Sequence, residues 1–132
     1  QRFVPHVLST ALGGGPIRMT AGEQVRDFCF VDDIARGFAV EGLARRGGHT
    51  DWNLGTGRGL SLLEAAKILV GLVGSSSTIE AGAVPYREGE AFHLVAEASE
   101  LPEELRACLA TSFEEGGRLT ADWLQREGGG LS

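Results

Sequence analysis

Hydrophobic residues recur at helical spacing in the first segment of the chain. Within Phe3–Leu12, apolar side chains at Val7, Leu8 and Ala11 repeat every three or four residues, as on the buried face of a helix. Three consecutive glycines follow and are expected to stop this helix. The same spacing predicts a second helix that begins after Ser61.

Shorter runs of β-branched and aromatic residues predict strands between and after these helices. The clearer runs are Ile17–Thr20, Arg26–Val31 and Thr50–Leu54. Weaker patterns indicate short strands around Ile79 and within Phe92–Val95. The alternation of helices and strands is typical of an α/β protein. Because few of these strands are long enough to form a sheet alone, we expect the chain to be part of a larger fold.

Capping residues mark three helix starts: Asp32 or Asp33, the pair Ser61 and Glu64, and the pair Ser112 and Glu115. The helix after Asp33 is predicted to bury Ile34, Phe38 and Leu43 and to end at Gly47-Gly48. Adjacent carboxylates at a helix start are more often caps than a catalytic pair.

Charge divides the chain into two parts. The 132 residues carry a net charge of −6, yet residues 1–87 hold nine basic and eight acidic groups. The remainder holds three basic and ten acidic groups. Two acidic helices are predicted to end the chain, and Phe113 and Trp123 are the expected apolar anchors of the last one. We therefore expect an anion site before residue 88 and no nucleic-acid partner, which would need a basic face. No stretch is apolar enough to predict a membrane span.

Cysteine and histidine usage suggests neither disulfides nor metal. Cys29 and Cys108 lie far apart, which is typical of a reduced, cytoplasmic protein, and no secretion leader follows Gln1. The three histidines have no neighbouring ligands at metal-binding spacing. The expectation is a cytoplasmic protein without a metal site.

Two patterns of nicotinamide enzymes are missing from the chain. Gly55 and Gly57 follow a predicted strand, but the third glycine of the dinucleotide fingerprint is replaced by Leu60. A tight structural connection is the favoured interpretation of these glycines. The Tyr and Lys that short-chain dehydrogenases place four residues apart are also excluded, because Tyr86 is the only Tyr and Lys67 the only Lys.

Arg26 and Arg87 are the candidate anion-binding residues. A guanidinium presents a planar fork of donors that suits two-point binding of phosphate. Spacing alone leaves open the alternative that both are ordinary surface or salt-bridged side chains, and favours it.

Several motifs together resemble one enzyme family, the sugar-nucleotide epimerases and 4,6-dehydratases of the extended short-chain dehydrogenase/reductase class. Residues 22–35 are similar to its G-x-Q-x-R-D-F-x-x-V-x-D-[VI]-A block, and residues 52–57 to its Y-N-[IL]-G-[TS]-G. Residues 61–64 resemble its S-[LI]-x-E, residues 85–90 its P-x-R-x-G-[DE], and residues 112–123 its S-[LF]-x-E-G…T-x-x-W. Order and spacing agree over nearly the whole chain.

The resemblance implies an α/β fold, the C-terminal part of an extended Rossmann-type fold with a substrate-binding subdomain and the last sheet elements. It implies that residues 1–132 bind a nucleoside-diphosphate sugar. Arg26 and Arg87 would contact the diphosphate and Asn53 would lie near it, while Phe3, Pro5 and Met19 would border the base. Asp27 would orient Arg26 or the backbone.

The resemblance also implies what this chain lacks. In the family, an N-terminal Rossmann region binds NAD or NADP and supplies the catalytic Tyr and Lys, and no such region is recognised here. We therefore expect no cofactor site and no catalytic residue in this chain, and a Rossmann partner in cis or in trans. The complete enzyme could form a homodimer.

The chain departs from the family pattern near its end. Gly117 stands where the family has an aliphatic residue, which predicts weaker packing of the last helix. The favoured hypothesis is the substrate-binding half of an NAD(P)-dependent sugar-nucleotide epimerase or dehydratase, not catalytic alone. The alternative is a non-catalytic binding module or a truncated gene remnant, with apolar edges exposed at Phe28, Phe30 and Leu54.

Overall fold

The computed structural model describes residues 2–44 and 51–127 and has a mixed α/β architecture. Its helices are α1 (Phe3–Leu12), α2 (Val31–Leu43), α3 (Leu62–Leu72), α4 (Glu103–Cys108) and α5 (Phe113–Glu127). Its strands are β1 (Ile17–Met19), β2 (Val25–Asp27), β3 (Gly59–Ser61), β4 (Ile79–Ala81) and β5 (His93–Leu94). A single 3₁₀ turn at Ala98–Glu100 precedes α4.

Two small sheets connect distant parts of the described chain. β1 pairs in parallel with β4, with Ile17 opposite Ile79. β2 lies between β3, which is antiparallel to it, and β5, which is parallel. The strand that carries Arg26 is therefore held on both sides.

The main core lies between α1, α3, α5 and β1. Its largest fully buried side chains include Leu8, Ile17 and Leu69. Helix α5 approaches closely at Gly117, where a Cβ atom would lie 2.8 Å from Cδ1 of Leu72. The expectation of weak packing at Gly117 is wrong, because the missing side chain lets two helices come together.

A second cluster of apolar residues joins α4 to α2 and to the segment after residue 51. Leu101, Leu105 and Leu109 are buried there against Trp52 and Leu54. Residues 51–54 form no strand, so the predicted strand Thr50–Leu54 is wrong in its described part. Thr50 itself lies outside the described residues. The β-type pattern of this segment reflects its packing on α4.

Local sequence signals predicted several elements correctly. Helix α1 has its predicted bounds, and β1, β4 and β5 lie within or at the predicted positions. At α3, Ser61 Oγ accepts from the Glu64 amide while the Glu64 carboxylate accepts from the Ser61 amide, so the capping box is confirmed. At α5, Ser112 Oγ accepts from the Glu115 amide.

Helix α2 differs from its prediction in three ways. The strand before it ends at Asp27 rather than Val31, because α2 begins at Val31. The N-cap is Phe30, without a side-chain cap, so neither aspartate caps the helix. Its buried residues are Asp33 and Gly37, whereas Phe38 and Leu43 are 69% and 81% exposed.

Aromatic residues also differ from expectation. Trp123 is half-exposed and does not anchor α5, whereas Phe113 packs against the main core. The ring of Phe28 lies 4.9 Å from that of Phe113 and 6.2 Å from that of Phe3. Phe28, Phe30 and Leu54 are all half-buried, so the apolar edge that the alternative hypothesis expected at these residues is not exposed. The exposed large apolar side chains nearby are those of α2. The predicted end of α2 at Gly47-Gly48 lies outside the described residues.

Candidate functional site

A groove of about 340 Å³ lies between α1, β1 and the segment that precedes β5. It brings together three of the six predicted site residues, Phe3, Met19 and Arg87. Met19 is buried at the base, Phe3 is half-buried, and Arg87 is exposed. The groove therefore combines an apolar wall with a cation that is open to solvent.

Arg26 lies beside this groove and is tied to the protein. Its Nη1 donates to the Val25 carbonyl at 2.9 Å and its Nη2 to the Ala91 carbonyl at 2.7 Å. The same Nη2 lies 3.5 Å from Oε1 of Glu90, a groove residue. Arg26 thus does not line the groove itself but contacts Glu90, which does.

The segment that carries Arg87 is fixed by contacts on both sides. The Tyr86 hydroxyl donates to the Glu23 carboxylate at 2.8 Å, and the Tyr86 ring packs edge-on against Phe92 at 4.8 Å. Partial desolvation, together with the hydrogen bond to Glu23, raises the pKa of Tyr86. The Val84 amide donates to the Met19 carbonyl at 3.2 Å, which joins this segment to β1.

Pro5 and Asn53 do not line the groove. Pro5 lines a different cavity of about 230 Å³, between α1, the Phe28–Val31 segment and α5. Cys29 also lines this cavity, and burial, with the neighbouring Asp27 carboxylate, raises the pKa of its thiol. Asn53 is exposed in the irregular segment before Gly55.

Asp27 fixes the glycine-rich loop. Its carboxylate accepts hydrogen bonds from the Thr56 amide at 3.1 Å, the Thr56 hydroxyl at 2.5 Å, the Gly57 amide at 2.9 Å and the Ala96 amide at 3.3 Å. These contacts agree with the prediction that Asp27 orients the backbone, here that of residues 56, 57 and 96.

The same contacts test whether this loop fits the diphosphate of a nicotinamide dinucleotide. A phosphate-binding loop offers unpaired amides, and here two of them already donate to Asp27. A Cβ on Gly55 would lie 2.3 Å from the Cβ of Ala96, so the space over the loop is filled. The loop residues do not fit the cofactor, and these glycines serve close packing.

Sequence reasoning missed two charged groove residues, Arg18 and Glu90. Arg18 also lies 3.6 Å from Glu80 on the paired strand β4. The alternation of Ile17, Arg18 and Met19 gave a signal for an exposed cation on β1. Glu90 was part of the P-x-R-x-G-[DE] match, but its contact with Arg26 depends on folding.

Two negative findings concern the part of the chain that the structure describes. Within residues 2–44 and 51–127, no helix is long and apolar enough to cross a membrane. In the same ranges, no three side chains of His, Cys, Asp or Glu are grouped as metal ligands would be.

Comparison with known proteins places the chain in a family. Residues 1–55 match the model of the NAD dependent epimerase/dehydratase family. CDP-abequose synthase of Salmonella typhimurium is 33% identical over 100 residues, which covers 72% of this chain and 33% of that protein. dTDP-glucose 4,6-dehydratase of Xanthomonas campestris pv. campestris is 30% identical over 132 residues, which covers 93% of this chain and 37% of that protein.

Solved structures agree with these sequence matches. The crystal structure of UDP-glucose 4-epimerase from Thermotoga maritima with UDP-glucose superposes with a TM-score of 0.78 at 26% identity. The superposition covers 95% of this chain and 40% of that one. The chain spans between 33% and 37% of the length of these two curated relatives. It belongs to the NAD-dependent epimerase/dehydratase family and has part of that family's extended Rossmann-type fold.

Proposed function

We propose that this chain is the substrate-binding part of an NAD(P)-dependent sugar-nucleotide epimerase or dehydratase and binds a nucleoside-diphosphate sugar. The observation that carries the proposal is the groove, in which Phe3, Met19 and Arg87 meet from three separate segments. Apolar walls with a few well-placed polar groups are the usual composition of a small-molecule site.

The groove offers the chemistry that a nucleoside diphosphate requires. Phe3 and Met19 present apolar surface to the flat face of a base. Arg87 presents an exposed guanidinium to phosphate, and Arg26 adds a second one beside Glu90. Binding at the diphosphate would orient the sugar without touching its reacting carbon. Asn53 and Pro5, which lie outside the groove, stay predictions.

Catalysis requires groups that this chain does not supply. A phenol that acts as a base near neutral pH needs a lowered pKa, whereas the pKa of Tyr86 is raised. Tyr86 also donates its hydroxyl proton to Glu23 in a hydrogen bond. The catalytic Tyr, the Lys and the NAD or NADP would therefore belong to a Rossmann region in cis or in trans.

The outward face of α2 suits contact with such a region. Val31 and Phe38, seven residues apart on the same side of this helix, are 70% and 69% exposed, and Leu43 at its last residue is 81% exposed. Large apolar side chains exposed on one helix are typical of a surface that another element covers. We also propose that the complete enzyme, with its Rossmann region, forms a homodimer.

Calorimetric titration tests the substrate-binding role. The wild-type chain is titrated with UDP-glucose, CDP-glucose and dTDP-glucose, and at least one should bind. Arg87→Ala should weaken that binding about tenfold or more, because a charge-assisted hydrogen bond to phosphate is lost. Arg26→Ala should weaken it too.

Arg118→Ala is the matched control. Arg118 is exposed on α5 and does not line the groove, so its removal changes the net charge equally without changing affinity. The proposal fails if the wild-type chain binds none of the three sugar nucleotides, or if Arg87→Ala binds as tightly as Arg118→Ala.

A further inference from the structure

The carboxylate of Glu90 contacts the side chain of one arginine of the proposed site, Arg26, and the backbone of the other, Arg87. Its Oε1 is 3.5 Å from Nη2 of Arg26. Its Oε2 accepts from the backbone amide of Arg87, also at 3.5 Å. Glu90 therefore holds an anion beside the guanidinium of Arg26 and against the backbone of Arg87.

Arg26 does not depend on Glu90 for its position. The carbonyls of Val25 and Ala91 accept from the two terminal nitrogens at 2.9 and 2.7 Å, which are shorter contacts than the ion pair. The Val25 carbonyl belongs to β2, and the Ala91 carbonyl belongs to the segment just before β5, the strand that pairs with β2. The guanidinium is consequently fixed before any ligand arrives, and loss of the carboxylate would leave it in place.

The ion pair is placed so that a ligand could exchange with it. The side chains of Arg26 and Glu90 are 23% and 22% exposed, so the pair is partly desolvated but still reached by solvent. One carboxylate carries a single negative charge, whereas a diphosphate carries more and offers more acceptor oxygens. A guanidinium binds phosphate oxygens in the same planar geometry that it uses for carboxylate.

We propose that Glu90 is a built-in competitor for the anion site: its carboxylate occupies the Arg26 position in the free protein and is displaced by the diphosphate of the ligand. This inference rests on the proposed function for the identity of the ligand. It makes Glu90 a residue that sets affinity and charge selectivity. A weak monoanion would fail to displace the carboxylate, and a diphosphate would succeed.

Inorganic pyrophosphate is the probe, because it has the charge of the diphosphate without base or sugar. Glu90→Gln keeps the size of the side chain and removes its charge. Titration calorimetry should give about three- to fivefold tighter pyrophosphate binding than wild type, the scale expected when a partly exposed ion pair no longer competes. The gain should shrink as salt is raised, because the freed charge is screened.

Glu88→Gln is the matched control. Glu88 is exposed and lies two residues before Glu90 on the same segment. The Glu88→Gln substitution therefore removes the same charge while leaving the contact between Glu90 and Arg26 intact. Its affinity for pyrophosphate should stay close to that of wild type. Thermal melting checks that both variants are folded. If Glu90→Gln is not folded, Glu90→Ala replaces it in the titration.

The outcomes separate this inference from the proposed function. Tighter binding by Glu90→Gln alone supports competition at Arg26. Equal gains in Glu88→Gln would show a general charge effect, and weaker binding by Glu90→Gln would show that Glu90 holds the Arg87 segment in place; either result overturns the inference. Failure of the chain to bind sugar nucleotides, with pyrophosphate still bound more tightly by Glu90→Gln, would refute the proposed function alone. No pyrophosphate binding by wild type or variant overturns the inference.

Discussion

Replacement of Asp33 by Asn should destabilise the fold far more than the same change at the adjacent Asp32. Asp33 is 1% exposed, and its carboxylate accepts from the amide and the hydroxyl of Thr111, both at 2.9 Å. It also accepts from Arg36 one turn later on α2. These bonds tie α2 to the connection between α4 and α5, 78 residues away along the chain.

The size of the effect follows from these contacts. Asn keeps one acceptor oxygen for the Thr111 amide, and the Thr111 hydroxyl can turn to accept from the new NH2 group. That NH2 group then faces the Arg36 guanidinium, which can only donate, so the charge-assisted bond to Arg36 is lost and a buried donor is poorly paired. An unsatisfied buried polar group costs about 1–3 kcal/mol, and the lost charge adds to this, so we expect a loss of about 3 kcal/mol. Asp32→Asn removes a charge from the same exposed helix start and should cost less than about 1 kcal/mol.

The pH dependence gives a second test with a definite sign. Burial alone would raise the pKa of Asp33, but the hydrogen bonds from Thr111 and Arg36 outweigh it and hold the pKa below its usual value of 3.8. A depressed pKa stabilises the fold at every pH above the unfolded value, and this contribution is lost as the pH falls through the folded value. Wild type should therefore lose stability below about pH 4 more steeply than Asp33→Asn.

Urea unfolding followed by circular dichroism measures both effects. A double-mutant cycle with Thr111→Val should give a coupling energy well above the error, since the two side chains share a hydrogen bond. The reasoning is refuted if Asp33→Asn unfolds at the same urea concentration as Asp32→Asn, or if its effect and that of Thr111→Val simply add.

Two further predictions concern helix packing and helix capping. Gly71→Ala should raise the free energy of unfolding by about 0.5–1 kcal/mol, because nothing lies within 4 Å of the new Cβ, whereas Gly117→Ala should gain less or lose stability against Leu72. Equal melting temperatures of the two variants would contradict the close approach of α5. Ser61→Ala should lower the free energy of unfolding by about 1 kcal/mol through loss of the N-cap of α3. The hydrogen bonds from Ser61 also lower the pKa of Glu64, so the cap should weaken as the pH falls below 4.5, and a Ser61→Ala penalty that does not shrink in acid would speak against it.

Elements with local causes were predictable from the sequence. Helix α1 depends on its own apolar spacing and on the glycines after it, and the start of α3 depends on Ser61 and Glu64, three residues apart. The aromatic run after Asp27 looked like a longer strand because strands and aromatic clusters use the same residues. There, Phe28 packs against Phe113, which is 85 positions later.

Asp33 shows why helix α2 was predicted less well. An aspartate at a helix start is an N-cap by local rules, and only the fold brings Thr111 within 2.9 Å of it. Phe38 and Leu43 were assigned to a buried face because apolar side chains usually are. They lie exposed on a chain that matches 40% of a solved relative's length.

The electrostatics of the candidate site follow from local charge rather than from charge along the chain. The count of basic and acidic groups predicted that an anion site would lie before residue 88, where Arg18, Arg26 and Arg87 are found. Glu90 belongs to the acidic part of the sequence, yet the fold sets it 3.5 Å from Arg26. Charges interact strongly only within a Debye length of about 8–10 Å, so a ligand in the groove should respond most to the charged side chains that line it, Glu90 among them. The affinity for a diphosphate should therefore depend on Glu90 far more than on Glu127, the last described acidic residue.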